Sequence, residues 1–354
     1  MTPLAHDNSN DISADLRQDL SWVLPYVERA KSNGIAAYLA GREVSVEEAI
    51  LRAAELVKSS IAPAIVGLNG LTIEAAREAL ALAEKWRAKL LPLPACDAVT
   101  ARMSVMQTAT LGHSYSADLR VAFREDGERH ANPVEEVIAS RVPNTLFVKG
   151  DDLDALLRLR MAARGSGASV IKSLTALPVK KVVVVLPAGV DGRVDSQWHH
   201  LAAELQKELR VSVIKVPDLT APRAAGNLRA VIEVITWQTG LSCATGGVDF
   251  ADGAPRPCSD AATLLSRGAV DVAIDTGLHA TESGLISRVK HRIRIGDSLD
   301  AKADVCFVSP GLRVGLRARV MRFDGVIFWL CEDPSPGAGA VEDPVVQLLS
   351  RLGG

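Results

Sequence analysis

Pro63-Ala64-Ile65-Val66-Gly67-Leu68-Asn69-Gly70-Leu71-Thr72-Ile73-Glu74-Ala75-Ala76 is the stretch whose reading decides the fold class. Pro63 to Leu68 is a continuous apolar run, as expected of a strand buried on both faces. Gly67-Leu68-Asn69-Gly70 closes it as a turn. Thr72 caps a helix that continues through Ala75, Leu80 and Leu82 to about Arg87. Lys89 to Leu93 is a second short strand. Strand, capped helix and strand make a βαβ unit.

The same rhythm extends in both directions. Upstream, Ser45-Val46-Glu47-Glu48 is a capping box that starts a helix running to about Lys58. Asp11 to Ser32 carries apolar residues at helical spacing, with Pro25 as a break and Asn33-Gly34 as the end. Downstream, strands are predicted over Asp118–Phe123, Thr145–Lys149, Lys181–Leu186, Val211–Val216, Val270–Asp275, Arg292–Gly296 and Asp304–Val308. Helical patterns over Asp151–Ala163, Trp198–Leu209 and Ser259–Ser266 separate several of them. The run Val182-Val183-Val184-Val185 suits a parallel strand covered on both faces. Alternating strands and helices predict an α/β, doubly wound protein. Arg164-Gly165-Ser166-Gly167-Ala168-Ser169 and Pro334–Ala338 read as a linker and a loop.

Composition narrows the function classes. The 354 residues are 48% apolar, enough for a full core, so neither disorder nor a disulfide scaffold is expected. Lys+Arg 40 against Asp+Glu 42 leaves a formal charge of -2, without the electrostatic footprint of a nucleic-acid binder. Only 4% of residues are aromatic, too few for a single-strand stacking platform. Apolar runs such as Val182 to Leu186 fall far short of the roughly 20 residues that span a bilayer. No signal sequence opens the chain, and a cytoplasmic location is expected.

Local motifs supply little chemistry. Cys96, Cys243, Cys258, Cys306 and Cys331 are widely spaced, so local zinc and iron–sulfur motifs are not expected, and buried free thiols are. No P-loop and no Gly-x-Ser-x-Gly elbow with a usable base is present; Gly165-Ser166-Gly167 lacks the third glycine of a dinucleotide loop. His6, His113, His130, His199, His200, His279 and His291 form no metal motif. His199 and His200 are adjacent on a predicted helix, about 100° apart, so they do not share a ligand. His279 follows a strand end, where open α/β sheets place ligand loops or structural polar groups. Asp151, Asp152 and Asp154 open a helix and read as capping residues.

One charge pattern stands out. Lys290, His291, Arg292 and Arg294 precede Arg313, Arg317, Arg319 and Arg322. In a strand, Arg313, Arg317 and Arg319 would share a face, suited to an acidic partner surface or a carboxylate-rich ligand such as a polyglutamate tail. The other reading is a solvated or intersubunit strand face.

Taken over residues 38 to 330, the chain resembles the B subunit of formylmethanofuran dehydrogenase, a branch of the molybdopterin oxidoreductases. Four segments carry the resemblance in order: Gly41–Ile50; Pro63–Ala76; Asn227–Arg256 with Thr236-Trp237-Gln238-Thr239-Gly240, Val248-Asp249-Phe250 and Pro255-Arg256; and Ala303-Asp304-Val305 with Arg322-Phe323-Asp324-Gly325-Val326. Thr110-Leu111-Gly112 and Ala117-Asp118 fit a further loop and strand of that family.

The departures set the functional expectation. The family holds a [4Fe–4S] cluster through closely spaced N-terminal cysteines, and its catalytic members place a Cys or selenocysteine on tungsten or molybdenum. Residues 1–95 contain no cysteine here. Without thiolates there is no cluster and no donor to the metal. The resemblance therefore implies the degenerate, non-catalytic B subunit of the formyltransferase/hydrolase complex of methylotrophic one-carbon metabolism. That complex moves a formyl group from formyl-tetrahydromethanopterin to methylofuran and hydrolyses it to formate, with A, C and D subunits as partners. No catalytic, metal or cofactor-binding residue is expected, and neither an Fe–S cluster nor a tungstopterin or molybdopterin. Trp237-Gln238-Thr239-Gly240 is the vestigial pterin-site motif, kept for structure (Trp237 in the core, Gly240 in a turn) or for residual pterin binding.

By the same resemblance the fold is two doubly wound, Rossmann-like lobes with mainly parallel sheets, reduced from the molybdopterin-oxidoreductase fold. The expected divisions are 1–39, a helical extension; 40–105 plus 176–335, the first lobe; 106–175, the second; and 336–354, a tail. Two other readings stay open: an active dehydrogenase subunit with atypical metal ligands, and a stand-alone methylofuran- or pterin-binding module.

Overall fold

The computed structural model describes residues 34–68, 70–93, 110–122, 133–142, 144–147, 182–186, 212–215, 227–241, 246–277, 283–309, 312, 315–322, 325–331, 333–335 and 340–354. The chain is mixed α/β, with eight helices among the described residues. It divides into two compact units: Met1–Cys96 with Ala225–Arg322 and Ile327–Gly354, and Asp97–Ala224 with Phe323–Val326.

The first unit is built on a nine-stranded sheet. Its centre is parallel, in the spatial order β4 (Lys89–Leu93), β3 (Pro63–Leu68), β11 (Val272–Asp275), β12 (His291–Gly296) and β13 (Val305–Val308). An antiparallel hairpin, β1 (Ala36–Leu39) and β2 (Arg42–Val44), extends it beyond β13. A second, β9 (Gly247–Asp249) and β10 (Arg256–Cys258), extends it beyond β4. All six residues of β3 are buried, as a continuous apolar run requires in a central strand.

Side chains alternate across the pleat, so the sheet has two apolar faces. Ile65, Leu90, Ile274, Ile293 and Phe307 join one core cluster. That cluster packs against α1 (Val46–Lys58), α2 (Ile73–Trp86), α5 (Leu228–Thr239) and α8 (Pro344–Gly353). Ala64, Val66, Leu91 and Ala273 join another, against α6 (Ala261–Ser266) and α7 (Ser283–Ile286). The caps follow sequence chemistry. Ser45 accepts from the Glu48 amide at 3.1 Å, Thr72 from Ala75 at 3.1 Å and Asp260 from Thr263 at 2.8 Å.

The second unit carries a four-stranded, all-parallel sheet in the order β6 (Thr145–Phe147), β5 (Leu119–Ala122), β7 (Val182–Leu186) and β8 (Ser212–Lys215). Helices α3 (Leu111–Tyr115) and α4 (Pro133–Arg141) belong to it. Its buried Arg120 donates to the Thr145 hydroxyl at 2.8 Å.

Four expectations need correction. β7 pairs with β5 and β8 with β7, so Val182–Leu186 and Ser212–Lys215 belong to the smaller sheet and not to the first lobe. Ala36–Leu39 is a strand on the large sheet, not part of a helical extension. Residues 336–354 are more than a tail: α8 buries Leu348, Leu349 and Leu352 against the first core. The fourth is an omission: the helix Leu228–Thr239 buries Ala230, Val231, Val234 and Ile235 there as well. The predicted helices over Asp11–Ser32, Asp151–Ala163 and Trp198–Leu209 lie outside the described residues.

Asp271 ties the start of β11 to the loop before β3. Its carboxylate accepts from the Ser60 hydroxyl and from the amides of Ile61 at 2.8 Å and Ala62 at 3.0 Å. Burial raises its pKa, but these donors more than offset that and leave it below the usual carboxylate range. A depressed folded pKa contributes stability above the unfolded value of about 4 and loses it as pH falls through the folded value. Asp271→Ala is therefore expected to cost about 2 kcal/mol at neutral pH in urea unfolding. The gap to wild type should close on acidification below about pH 4.

Candidate functional site

β3 and β11 lie side by side and run parallel. The helix after β3, α2, packs on one face, while α7, after β11, packs on the other. Connections that leave adjacent parallel strands toward opposite faces open a crevice at the carboxyl ends, where open α/β sheets hold ligands. The crevice is the candidate site.

Its backbone is unusual. Gly67 (φ 99°) and Leu68 (φ 74°) are both left-handed, and for leucine that is a strained conformation. The twist breaks the strand's alternation and turns Leu68 into the same cluster as Ile65. Thr276 holds the kink: its hydroxyl accepts from the Leu68 amide at 3.0 Å and donates to the Val66 carbonyl at 3.2 Å.

Among the described residues, charges on β11 and β12 are paired within the chain. Asp275, 1% exposed, meets the Arg294 guanidinium at 2.6 Å, the two being register partners on β11 and β12. Asp275 also accepts from the Gly277 amide at 3.1 Å. Arg292 pairs with Asp300 at 2.7 Å, and burial among these groups pushes the Cys306 thiol up. A protonated, buried thiol is a poor nucleophile.

The amino end of α2 borders the crevice and gathers distant pieces of chain. Thr72 donates to Asp343 at 2.6 Å, so the caps of α2 and α8 bond to each other. A small cleft between Gly70, Leu316 and Val345 opens beside them. Glu74 takes the Arg319 amide at 2.8 Å and its guanidinium at 2.5 Å. The buried Asn227 donates to the Leu71 carbonyl at 2.9 Å and accepts from the Met321 amide at 2.8 Å.

The residues singled out in the sequence are placed as follows. Arg319 lies in β14 (Arg319–Met321) and is committed to Glu74. Arg317 precedes that strand and pairs with Glu342 at 2.7 Å. Both arginines thus hold ion pairs within the chain; Arg313 lies outside the described residues. Trp237 is 62% exposed on α5, not in the core. Gly240 ends that helix in a left-handed turn (φ 70°), and the Thr239 hydroxyl donates to the Ile235 carbonyl at 2.7 Å. Gln238 is exposed. Cys306 and Cys331 are buried free thiols, and Cys258 is half-buried with its pKa pushed to about 11 by burial and by Asp249. His113 bonds Thr110, and His291 faces Asp304 at 3.4 Å. His6, His130, His199, His200, His279, Asp151, Asp152, Asp154, Cys96 and Cys243 lie outside the described residues.

Among the described residues, no group of three His, Cys, Asp or Glu side chains comes together to hold a metal.

The Asp275–Arg294 pair and the Thr72–Asp343 cap pair were missed in the sequence. A carboxylate ending one strand and an arginine inside the next were the available signal for the first. Asp343 preceding Pro344 was the signal for half of the second.

The sequence matches no protein-family model and no curated protein. The fold is similar to a chain in the crystal structure of the formyltransferase/hydrolase complex (FhcABCD) of Methylorubrum extorquens in complex with methylofuran. The TM-score is 0.64 at 19% identity, covering 90% of this chain and 98% of that one. The likeness shows a shared fold. No helix among the described residues is long and apolar enough to cross a membrane.

Asp275→Ala takes the carboxylate partner from a largely buried guanidinium and should cost about 3 kcal/mol in urea unfolding. Replacing both partners, Asp275→Leu with Arg294→Met, should restore most of it. Burial raises the Asp343 pKa, with Glu74 adding to it, against hydrogen bonds from Thr72, Val345 and Val346. A raised folded pKa gives stability that is complete below the unfolded value and is lost as pH rises through the folded one. Asp343→Asn keeps the cap acceptor without that loss. Its stability relative to wild type should rise with pH from about pH 4 upward, measured by urea unfolding across pH.

Proposed function

We propose that this chain is the B subunit of a formyltransferase/hydrolase complex and serves there as a non-catalytic scaffold. In this reading the complex transfers formyl from formyl-tetrahydromethanopterin to methylofuran and hydrolyses it to formate, with the chemistry in partner A and D subunits. The chain itself carries no cluster and no tungstopterin or molybdopterin, works in the cytoplasm and meets A, C and D subunits.

The observation that carries the reading is the fold match, which spans nearly the whole of one chain of such a complex. The crevice supports it. Asp275 pairs with Arg294 and Thr276 bonds the β3 backbone, which suits a rigid support.

Co-expression with the other subunits of the complex, followed by gel filtration and elemental analysis, tests the reading. Stoichiometric co-elution with only trace tungsten, molybdenum and iron is the expected result. Stoichiometric metal would instead favour a dehydrogenase subunit, and a monomer that ignores the other subunits a stand-alone binding module.

A further inference from the structure

The ribbon of β14 and β15 (Ile327–Trp329) has one closed edge and one open edge. Its register is antiparallel, with Val320 opposite Phe328. The Leu330 amide donates to the Ala318 carbonyl at 2.9 Å, so the bonded pairs are 318 with 330 and 320 with 328. Arg319 and Met321 on β14, and Ile327 and Trp329 on β15, therefore turn their main-chain groups outward.

On the β14 side the outward amides are satisfied within the chain: that of Arg319 by Glu74 and that of Met321 by Asn227. On the β15 side, Ile327 and Trp329 have no main-chain partner among the described residues. Their side chains are also exposed, at 41% and 36%, and Arg319 stacks over Trp329 at 5.3 Å.

Soluble proteins guard such edges with lysine, proline or a bulge. Ile327-Phe328-Trp329 has none of these. Two-stranded ribbons are also marginal in water, and a third strand is the usual remedy. The unmet groups are alternating amides and carbonyls, which only another extended backbone satisfies in series.

The geometry points to β15 as a docking edge for an extended, apolar segment of another subunit, which adds a third strand to the ribbon. This rests on the scaffold reading proposed above and names the surface it uses. A second copy is the weaker occupant. Antiparallel pairing about a two-fold axis at Phe328 joins only three residues per chain, far below the roughly 1,000 Å² of a stable interface. A subunit that already meets the scaffold elsewhere needs only this increment.

The test uses the chain co-expressed with the other subunits of the complex. Ile327→Pro removes an outward donor and leaves the Phe328 ladder to β14 intact. Trp329→Lys installs an edge guard, and Ile327→Ala keeps the donor as a control. Circular dichroism and urea unfolding establish that each variant folds. Assembly weakened on the order of tenfold in Ile327→Pro and Trp329→Lys, but not in Ile327→Ala, is the expected result. Exchange protection of the Ile327 and Trp329 amides on assembly should accompany it.

Wild-type assembly by both folded variants, with these amides still exchanging, would overturn the inference and leave the scaffold reading standing. Should the wild-type chain ignore the other subunits, both fall. A homodimer of the isolated chain that Trp329→Lys dissolves would also overturn it, in favour of a second copy. If Ile327→Pro fails to fold, Trp329→Lys and the amide protection decide.

Discussion

The amino end of the helix Ile73–Trp86 is the constraint on which the first unit depends. Three neighbouring positions, 71, 72 and 74, do separate work there. The Leu71 carbonyl receives Asn227, Thr72 meets Asp343, and Glu74 holds both the amide and the guanidinium of Arg319. These partners come from chain segments more than 150 residues away. A helix terminus recruits a cap hydroxyl and a first-turn carboxylate, here Thr72 and Glu74, and both also bond distant segments. These groups also fix the helix Pro344–Gly353 and the ribbon strand Arg319–Met321. Removing that terminus would loosen four pieces of chain together.

The same economy governs the strand ends. A crevice at the carboxyl ends of β3 and β11 is where this architecture offers a ligand site. Among the described residues, the polar groups there bond within the chain. Asp275 is spent on Arg294, and Thr276 bridges the Leu68 amide and the Val66 carbonyl. A buried ion pair is expensive to break and contributes little net stability. The strain at Leu68 is held by Thr276, which bonds the backbone on both sides of Gly67.

Much of the fold was legible because it rests on local chemistry. The apolar run Pro63–Leu68, the caps Ser45 and Thr72 and the valine run Val182–Leu186 each announce themselves within a few residues. The hairpin Ala36–Val44 and the helix Leu228–Thr239 did not. The hairpin's strands are short and half-exposed, and the helix has no side-chain cap. The arginine pattern fell short for a related reason. Spacing shows that charges recur, but not which carboxylate answers them, and Glu74 and Glu342 lie far from Arg319 and Arg317 in sequence. Trp237 misled as well, since an aromatic residue at the end of an apolar helix is core or surface only by its angle around the axis.

By itself the sequence determined the alternation of buried strands with capped helices, and so an α/β chain, because hydrophobic period and cap residues act over one turn or one strand. Tertiary structure decided which strands share a sheet, sending Val182–Leu186 and Ser212–Lys215 to the smaller one. It also decided which charges cancel and which strand edge stays open. Those outcomes depend on contacts between residues far apart in the chain, whose free energy no local window contains.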